Sequence, residues 1–243
     1  MSMEYILAGI FTGLVSGFFG VGGGAILIPI LLLLGIDMKE AIGISIIQMV
    51  FSSYFGSYLN FKKGTLKLSS TIFVGIGGLF GASFSGEVIN RVSQESLTYA
   101  FLVVILFAIY KFFNANIESD KKPIDNRVLF LVIGFAIGLF ATTIGIGGAM
   151  LLTPIMVGFL RYKIKEAVTA GLFFVVFSST AGFVSLYSHD QLNIPLGTLI
   201  GISSLVGVYL GIELSHKTEP KRHKNFILIL NFIILALLLY KIA

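Results

Sequence analysis

Gly20-Val21-Gly22-Gly23-Gly24, followed by Pro29, interrupts an apolar stretch that otherwise runs from residue 5 to residue 34. Gly145-Ile146-Gly147-Gly148-Ala149, followed by Pro154, does the same to the stretch from 128 to 159. Glycine and proline are poor residues for a helix interior. Two matched interruptions in corresponding hydrophobic segments are the sequence mark of a transporter site built from discontinuous helices.

The rest of the chain gives these breaks their setting. It has 243 residues, 56% hydrophobic and 12% charged, a composition foreign to soluble domains. Apolar runs near the length of a membrane helix recur throughout, so the expected fold is an all-α polytopic membrane protein. A membrane β-barrel would show short alternating segments instead. The absence of cysteine excludes disulfides, thiolate metal sites and cysteine nucleophiles. The three histidines, His189, His216 and His223, fall in or beside polar loops. No metal or cofactor is expected. The net charge of +5 comes from loop residues beside membrane spans and is read as topology, with the lipid bilayer rather than nucleic acid as partner. The start of the chain lacks the positive region of a cleaved signal, so the first apolar segment is expected to be retained.

Eight hydrophobic segments stand out, roughly 5–34, 41–60, 68–86, 97–113, 128–159, 167–187, 195–214 and 226–240. A polar linker divides the chain into a first membrane repeat, 1–118, a cytoplasmic linker, 119–126, and a second repeat, 127–243. A shift of 125 aligns Gly20, Gly22, Gly23 and Pro29 with Gly145, Gly147, Gly148 and Pro154. A shift of 126 then aligns Lys39-Glu40-Ala41 with Lys165-Glu166-Ala167, Ser52-Ser53 with Ser178-Ser179, and Glu87 with Glu213.

Charge decides how the long first segment of each half crosses. If every segment crosses once, the 17 Lys and Arg divide eight against nine. If the first segment of each half enters and leaves on one side, only Lys39, Arg91 and Lys241 remain opposite the other fourteen. The positive-inside rule favours the second arrangement. Each half is then a glycine-broken re-entrant helical hairpin plus three transmembrane helices. An odd number of crossings makes the halves inverted-topology repeats, with the basic side cytoplasmic and both termini outside.

The glycines allow the chain to reverse and let a ligand approach bare backbone. A helix restarting after them has N–H groups without intrahelical partners and a partial positive charge, which attracts anions. The candidate substrate residues are Gly20, Gly22, Gly23, Gly24, Gln48, Ser52, Thr143, Gly145, Gly147, Gly148 and Ser178, with Pro29 and Pro154 as structural helix breaks. Thr142 and Thr153 accompany Thr143. Ser45, Gln48, Ser52 and Gly56 share one helical face, and Phe174 stands where Gln48 stands in the first half. Close helix packing is the competing use of the glycines, and bonding to backbone carbonyls that of the serines. Glu87 and Glu213 read first as interfacial pairing residues, with coupling to a proton or another ion as the other reading. Span interiors hold almost no ionisable residue, which disfavours a cation carrier built on buried carboxylates and suits an anion site made of backbone dipoles. Gly20-x-Gly22-x-x-Ala25 loosely fits a dinucleotide fingerprint but lacks the surrounding βαβ unit.

The double motif, Gly17-Phe18-Phe19-Gly20-Val21-Gly22-Gly23-Gly24 with Pro29 and Thr143-Ile144-Gly145-Ile146-Gly147-Gly148 with Pro154, resembles the sulfite exporter TauE/SafE family of membrane permeases. The pairs Gly75 with Gly81 and Gly201 with Gly207 are similar too. One departure is Ala149 where the first copy has Gly24. The resemblance implies a secondary permease of a bacterial or archaeal plasma membrane, moving small anions such as sulfite or organosulfonates. A passive anion channel and a purely structural membrane protein are the alternatives. An enzyme is not expected: Phe84-Ser85-Gly86 offers a serine, but no histidine lies inside a span to activate it.

Overall fold

The structure is a computed structural model and describes residues 2–66, 68–113 and 122–242. Lys67 and Lys121 of the charge count, the end of the first predicted repeat and residues 119–121 of the linker lie outside the described residues. Eleven helices and no strand are found among those described: α1 (Ser2–Phe19), α2 (Gly24–Leu33), α3 (Met38–Lys62), α4 (Leu68–Ala82), α5 (Ser85–Arg91), α6 (Gln94–Phe113), α7 (Arg127–Thr143), α8 (Ala149–Gly158), α9 (Ile164–Tyr187), α10 (Ile194–Lys217) and α11 (Pro220–Ile242).

Six stretches are long and apolar enough to cross a membrane: α3, α4 with α5 (Thr71–Arg91), α6, α9, α10 and α11. They are three from each side of the linker. Their starts follow local chemistry. Asp37 accepts from the Glu40 N–H, Asn126 from Val128 and Leu129, and Asn193 from Leu196, each giving an orphan first-turn donor an acceptor. The third segment runs past its expected end at 86 to Arg91, and the last begins at Pro220 rather than 226.

The two glycine-bearing segments are both split, into α1 with α2 and α7 with α8. Their arms are unequal. At about 1.5 Å per residue, the 18 residues of α1 reach about 27 Å, nearly a full crossing, whereas the 10 residues of α2 reach about 15 Å. The arms were expected to be two half-helices. The glycines lie too far along the segment for that, because α1 and α7 are continuous up to Phe19 and Thr143. The prolines do not end helices either. α2 runs through Pro29 and α8 through Pro154, each losing one intrahelical hydrogen bond and continuing.

Small residues set helix direction and distance. Gly9, Gly13 and Gly17 of α1 face Ser203, Ser204 and Val208 of α10 in that order, so the two helices run parallel. A Cβ at Gly13 would stand 2.0 Å from the Ser204 carbonyl oxygen, so only glycine permits this approach. Gly77 and Gly81 of α4 face Leu131 and Phe135 of α7 in the same parallel sense. Gly197 and Gly201 of α10 face Ile47 and Phe51, which makes α3 parallel to α10. The two central helices cross the other way: Gly56 of α3 meets Leu172 of α9, while Ile46 lies near Gly182. Every major packing pair has a counterpart on exchange of the two sides of the linker: α1 on α10 with α7 on α4, α3 on α10 with α9 on α4, and α2 on α11 with α8 on α6.

The charged residues gather at the helix ends on two faces. On one, Lys63 pairs with Glu213, Lys165 donates to the His216 carbonyl, and Lys224 donates to the Phe113 carbonyl. On the other, Glu87 pairs with Arg91 and His189, Asn193 donates to Glu40, and Gln191 to Asn90. The first, with Lys63, Lys165 and Lys224, is the basic face.

Candidate functional site

Both glycine breaks sit against the middle of α3 and α9, where these helices cross. Three glycines in each break have positive φ: Gly20 (69°), Gly22 (81°) and Gly23 (86°), and Gly145 (75°), Gly147 (67°) and Gly148 (86°). That left-handed backbone carries the chain out of α1 and α7, and a side chain there would be strained. The breaks touch each other. A Cβ at Gly24 would lie 2.2 Å from the Gly145 carbonyl oxygen.

Serines pin the breaks in related ways. Ser52 Oγ donates to the Gly22 carbonyl at 3.2 Å, and Ser178 Oγ donates to the Gly147 carbonyl at 2.9 Å. These are the aligned positions of the two halves. Ser45 Oγ adds a bond to the Gly145 carbonyl at 2.5 Å and has no counterpart, since Gly171 is its aligned residue. The serines thus bind carbonyls and leave the N–H groups of the breaks alone.

Those N–H groups are the distinctive feature. Ile26 and Leu27 return to the Gly23 carbonyl, and Leu151 and Leu152 to the Gly148 carbonyl. The N–H groups of Val21 through Ala25, and of Gly147 through Met150, find no acceptor among the described residues. All of these residues are buried. Buried backbone donors almost always have partners, so two such runs call for an acceptor. Beside them stands Gln48, fully buried, with neither its Oε1 nor its Nε2 partnered. Its amide lies against Gly23, where a Cβ would be 2.6 Å from Oε1.

The structure therefore brings together Gly20, Gly22, Gly23, Gly24, Gln48, Ser52, Gly145, Gly147, Gly148 and Ser178. Thr143 is apart from them. Its hydroxyl donates to the Leu139 carbonyl at 2.7 Å, and it lines an apolar groove with Val88, Leu97, Phe140 and Ile155. Thr153 likewise donates back to Ala149, while Thr142 is buried with an unpartnered hydroxyl. Glu87 and Glu213 lie at opposite faces in their ion pairs, with carboxylates half-exposed. Lys63, the partner of Glu213, and His189, a partner of Glu87, are themselves separated by the repeat shift of 126. His189 lies just beyond α9, and its bonds to the Ser185 carbonyl and to Glu87 raise its pKa above the ordinary histidine value.

Two features were missed from the sequence. Met49 lies against Gly22, Gly24 and Gly147, filling the space between the breaks; it is an apolar residue in an apolar run and carries no signal. A cavity of about 210 Å³ enters from the basic face and ends at Gly17 and Gly20, lined by Asn60, Thr65, Lys165, Thr169 and His216 among others. The Lys165-Glu166 match to Lys39-Glu40 was its one trace in the sequence.

The model of the family described as "Sulfite exporter TauE/SafE" matches residues 5–238. "Probable membrane transporter protein MJ0441" of Methanocaldococcus jannaschii is 27% identical, over 89% of this chain and 87% of its own length. "Probable membrane transporter protein YjnA" of Bacillus subtilis is 25% identical, over 91% of this chain and 93% of its own. A "Probable membrane transporter protein" of Haemophilus influenzae is 22% identical over 94% and 92%.

Proposed function

Because this chain belongs to the sulfite exporter TauE/SafE family of membrane transporters, we propose that it is a secondary permease for small anions, of which sulfite and organosulfonates are the leading candidates. The observation that carries the reading is the pair of buried N–H runs, Val21 to Ala25 and Gly147 to Met150, meeting at the crossing of α3 and α9. Opposed helix starts with unspent donors offer an anion hydrogen bonds and favourable dipoles without a buried cation. Gln48 supplies a side-chain donor at the same place.

The mechanism is alternating access around the two broken helices. Its basis is a pair of inverted repeats, 1–118 and 127–243, joined by a cytoplasmic linker at 119–126. The antiparallel crossing of α3 and α9, which occupy aligned positions, supports inversion, as does the exchange of packing partners between halves. The basic face is cytoplasmic by the positive-inside rule, and both termini are outside. The relatives from an archaeon and two bacteria fit a plasma-membrane location. Glu87 and Glu213 serve as latches at opposite ends, and any coupling proton or ion acts through them rather than at the glycine breaks.

The test is flux into proteoliposomes. Saturable sulfite or organosulfonate uptake that accelerates when the same anion is loaded inside supports a carrier. Large single-channel currents would replace the carrier with a channel. Unchanged flux in a folded Gly22→Val variant would remove the glycine breaks from the pathway.

A further inference from the structure

We propose that the cavity at the basic face is a second anion-binding site, which loads a small oxyanion beside Lys165 and Asn60 before the ion reaches the glycine breaks. Its place in transport rests on the reading of those breaks; its binding chemistry stands on its own walls.

Lys165 opens α9 and is half-buried on the cavity wall. One of its N–H groups donates to the His216 carbonyl at 3.1 Å. An ammonium has three donors, so two remain for the cavity. Asn60, near the end of α3, is 5% exposed and stands on the same wall. Its Oδ1 lies 3.3 Å from His216 Nε2 and accepts from it in the tautomer that carries the proton there, while the Thr65 hydroxyl donates to the Asn60 backbone carbonyl at 3.0 Å. The His216 contact sets the amide so that Nδ2, which has no partner among the described residues, is the free end. With no protein acceptor, this NH₂ group is available to a ligand in the cavity. The unspent groups here are therefore a cation and an amide donor. Glu166, the one carboxylate on the wall, is itself engaged.

Donors without acceptors select an anion. The volume of about 210 Å³ suits a small oxyanion with part of its hydration shell. The inner end is Gly20, the first residue of the first break, so an ion leaving Lys165 moves directly towards the N–H run of Val21 to Ala25. Water at the mouth and a single ammonium make this a weak site, suited to loading and release.

The test titrates sulfite, sulfate and chloride at constant ionic strength against the purified full-length protein, following the melting temperature, with flux measured in parallel. Binding to the folded form raises the melting temperature. Lys165→Gln and Asn60→Asp are each expected to weaken oxyanion affinity about tenfold or more, and to raise the half-saturating concentration at the basic face while maximal flux stays within about twofold. Lys165→Arg is expected to keep affinity within about threefold. Melting temperatures without anion establish that each variant folds, and the arginine variant carries the test if the glutamine variant does not. Unchanged affinity in both folded Lys165→Gln and Asn60→Asp overturns the site while leaving the transport reading intact. Binding lost in these variants, from a wild type that moves no anion, supports the site and overturns transport. A wild type that neither binds nor moves these probes overturns both.

Discussion

The approaches to the two glycine breaks are related in sequence and opposite in condition. From the basic face a cavity reaches Gly20 past Asn60, Thr65 and Lys165. At the aligned positions around Gly145 the path is filled. Leu186 replaces Asn60, the Gln191 carbonyl presses on Gly43, and the Ile28 side chain stands over Gly145. Gln191 is held in turn by Asn90, and Glu87 with His189 closes the end above. The backbone of the two breaks is nearly the same, with three positive-φ glycines in each. Side chains therefore distinguish the two approaches, and under the proposed mechanism a repacking at α3, α9 and α10 would exchange the two conditions. This is what an alternating carrier requires of its two halves.

The largest effect tests the contact between the breaks. Gly24→Val would drive side-chain atoms into the Gly145 carbonyl, a backbone atom with nowhere to go. Loss of transport and a destabilisation of about 3 kcal/mol or more are expected, read from flux and the melting temperature. Near-normal behaviour would mean that the breaks move apart freely.

Gln48→Leu separates function from stability. Removing a buried amide with no partner is expected to leave the melting temperature unchanged or raised. Anion flux is expected to fall about tenfold, as when one transition-state or binding hydrogen bond worth about 1.5 kcal/mol is lost. A fall in stability with no change in flux would make Gln48 a packing residue like its counterpart, Phe174.

Ser52→Ala and Ser178→Ala measure how alike the breaks are. Each removes a bond to a glycine carbonyl, so each is expected to cost about 1 kcal/mol in unfolding measurements. Unequal costs would show which break is held more firmly, and the extra bond from Ser45 predicts that the second break loosens less.

The smallest effect concerns the end latches. The folded-state pKa of His189 is raised, so its contribution is complete below the unfolded value and fades as pH rises through the folded one. The loss of melting temperature on Glu87→Gln should therefore be larger at pH 6 than at pH 9. The same comparison with Glu213→Gln, whose partner is Lys63, should change little over that range. Equal pH dependence in the two variants would dissolve the distinction between the ends.

Much of this was legible in the chain. Gly20 to Gly24 and Gly145 to Ala149 marked both breaks, because a backbone needing positive φ leaves a glycine signature wherever it occurs. The repeat shift found Ser52 with Ser178, and they make the same bond. Residues whose role depends on direction were harder. Thr143 reads like a site hydroxyl beside the break, yet its helix turns it into an apolar groove, while Thr142 faces inward. Pro29 and Pro154 read as helix breaks, but a single missing N–H does not end a helix whose other bonds are shielded from water.

The sequence by itself determined the membrane class and the paired breaks, because composition and backbone freedom are local quantities carried by each residue. Only the tertiary structure decided the unequal arms of the hairpins, the placing of Met49 between the breaks, and the cavity that joins Asn60 of α3 to Lys165 of α9. These depend on contacts between helices more than a hundred residues apart, where the close approach of glycine-lined faces fixes which side chains meet and which are left facing an open space.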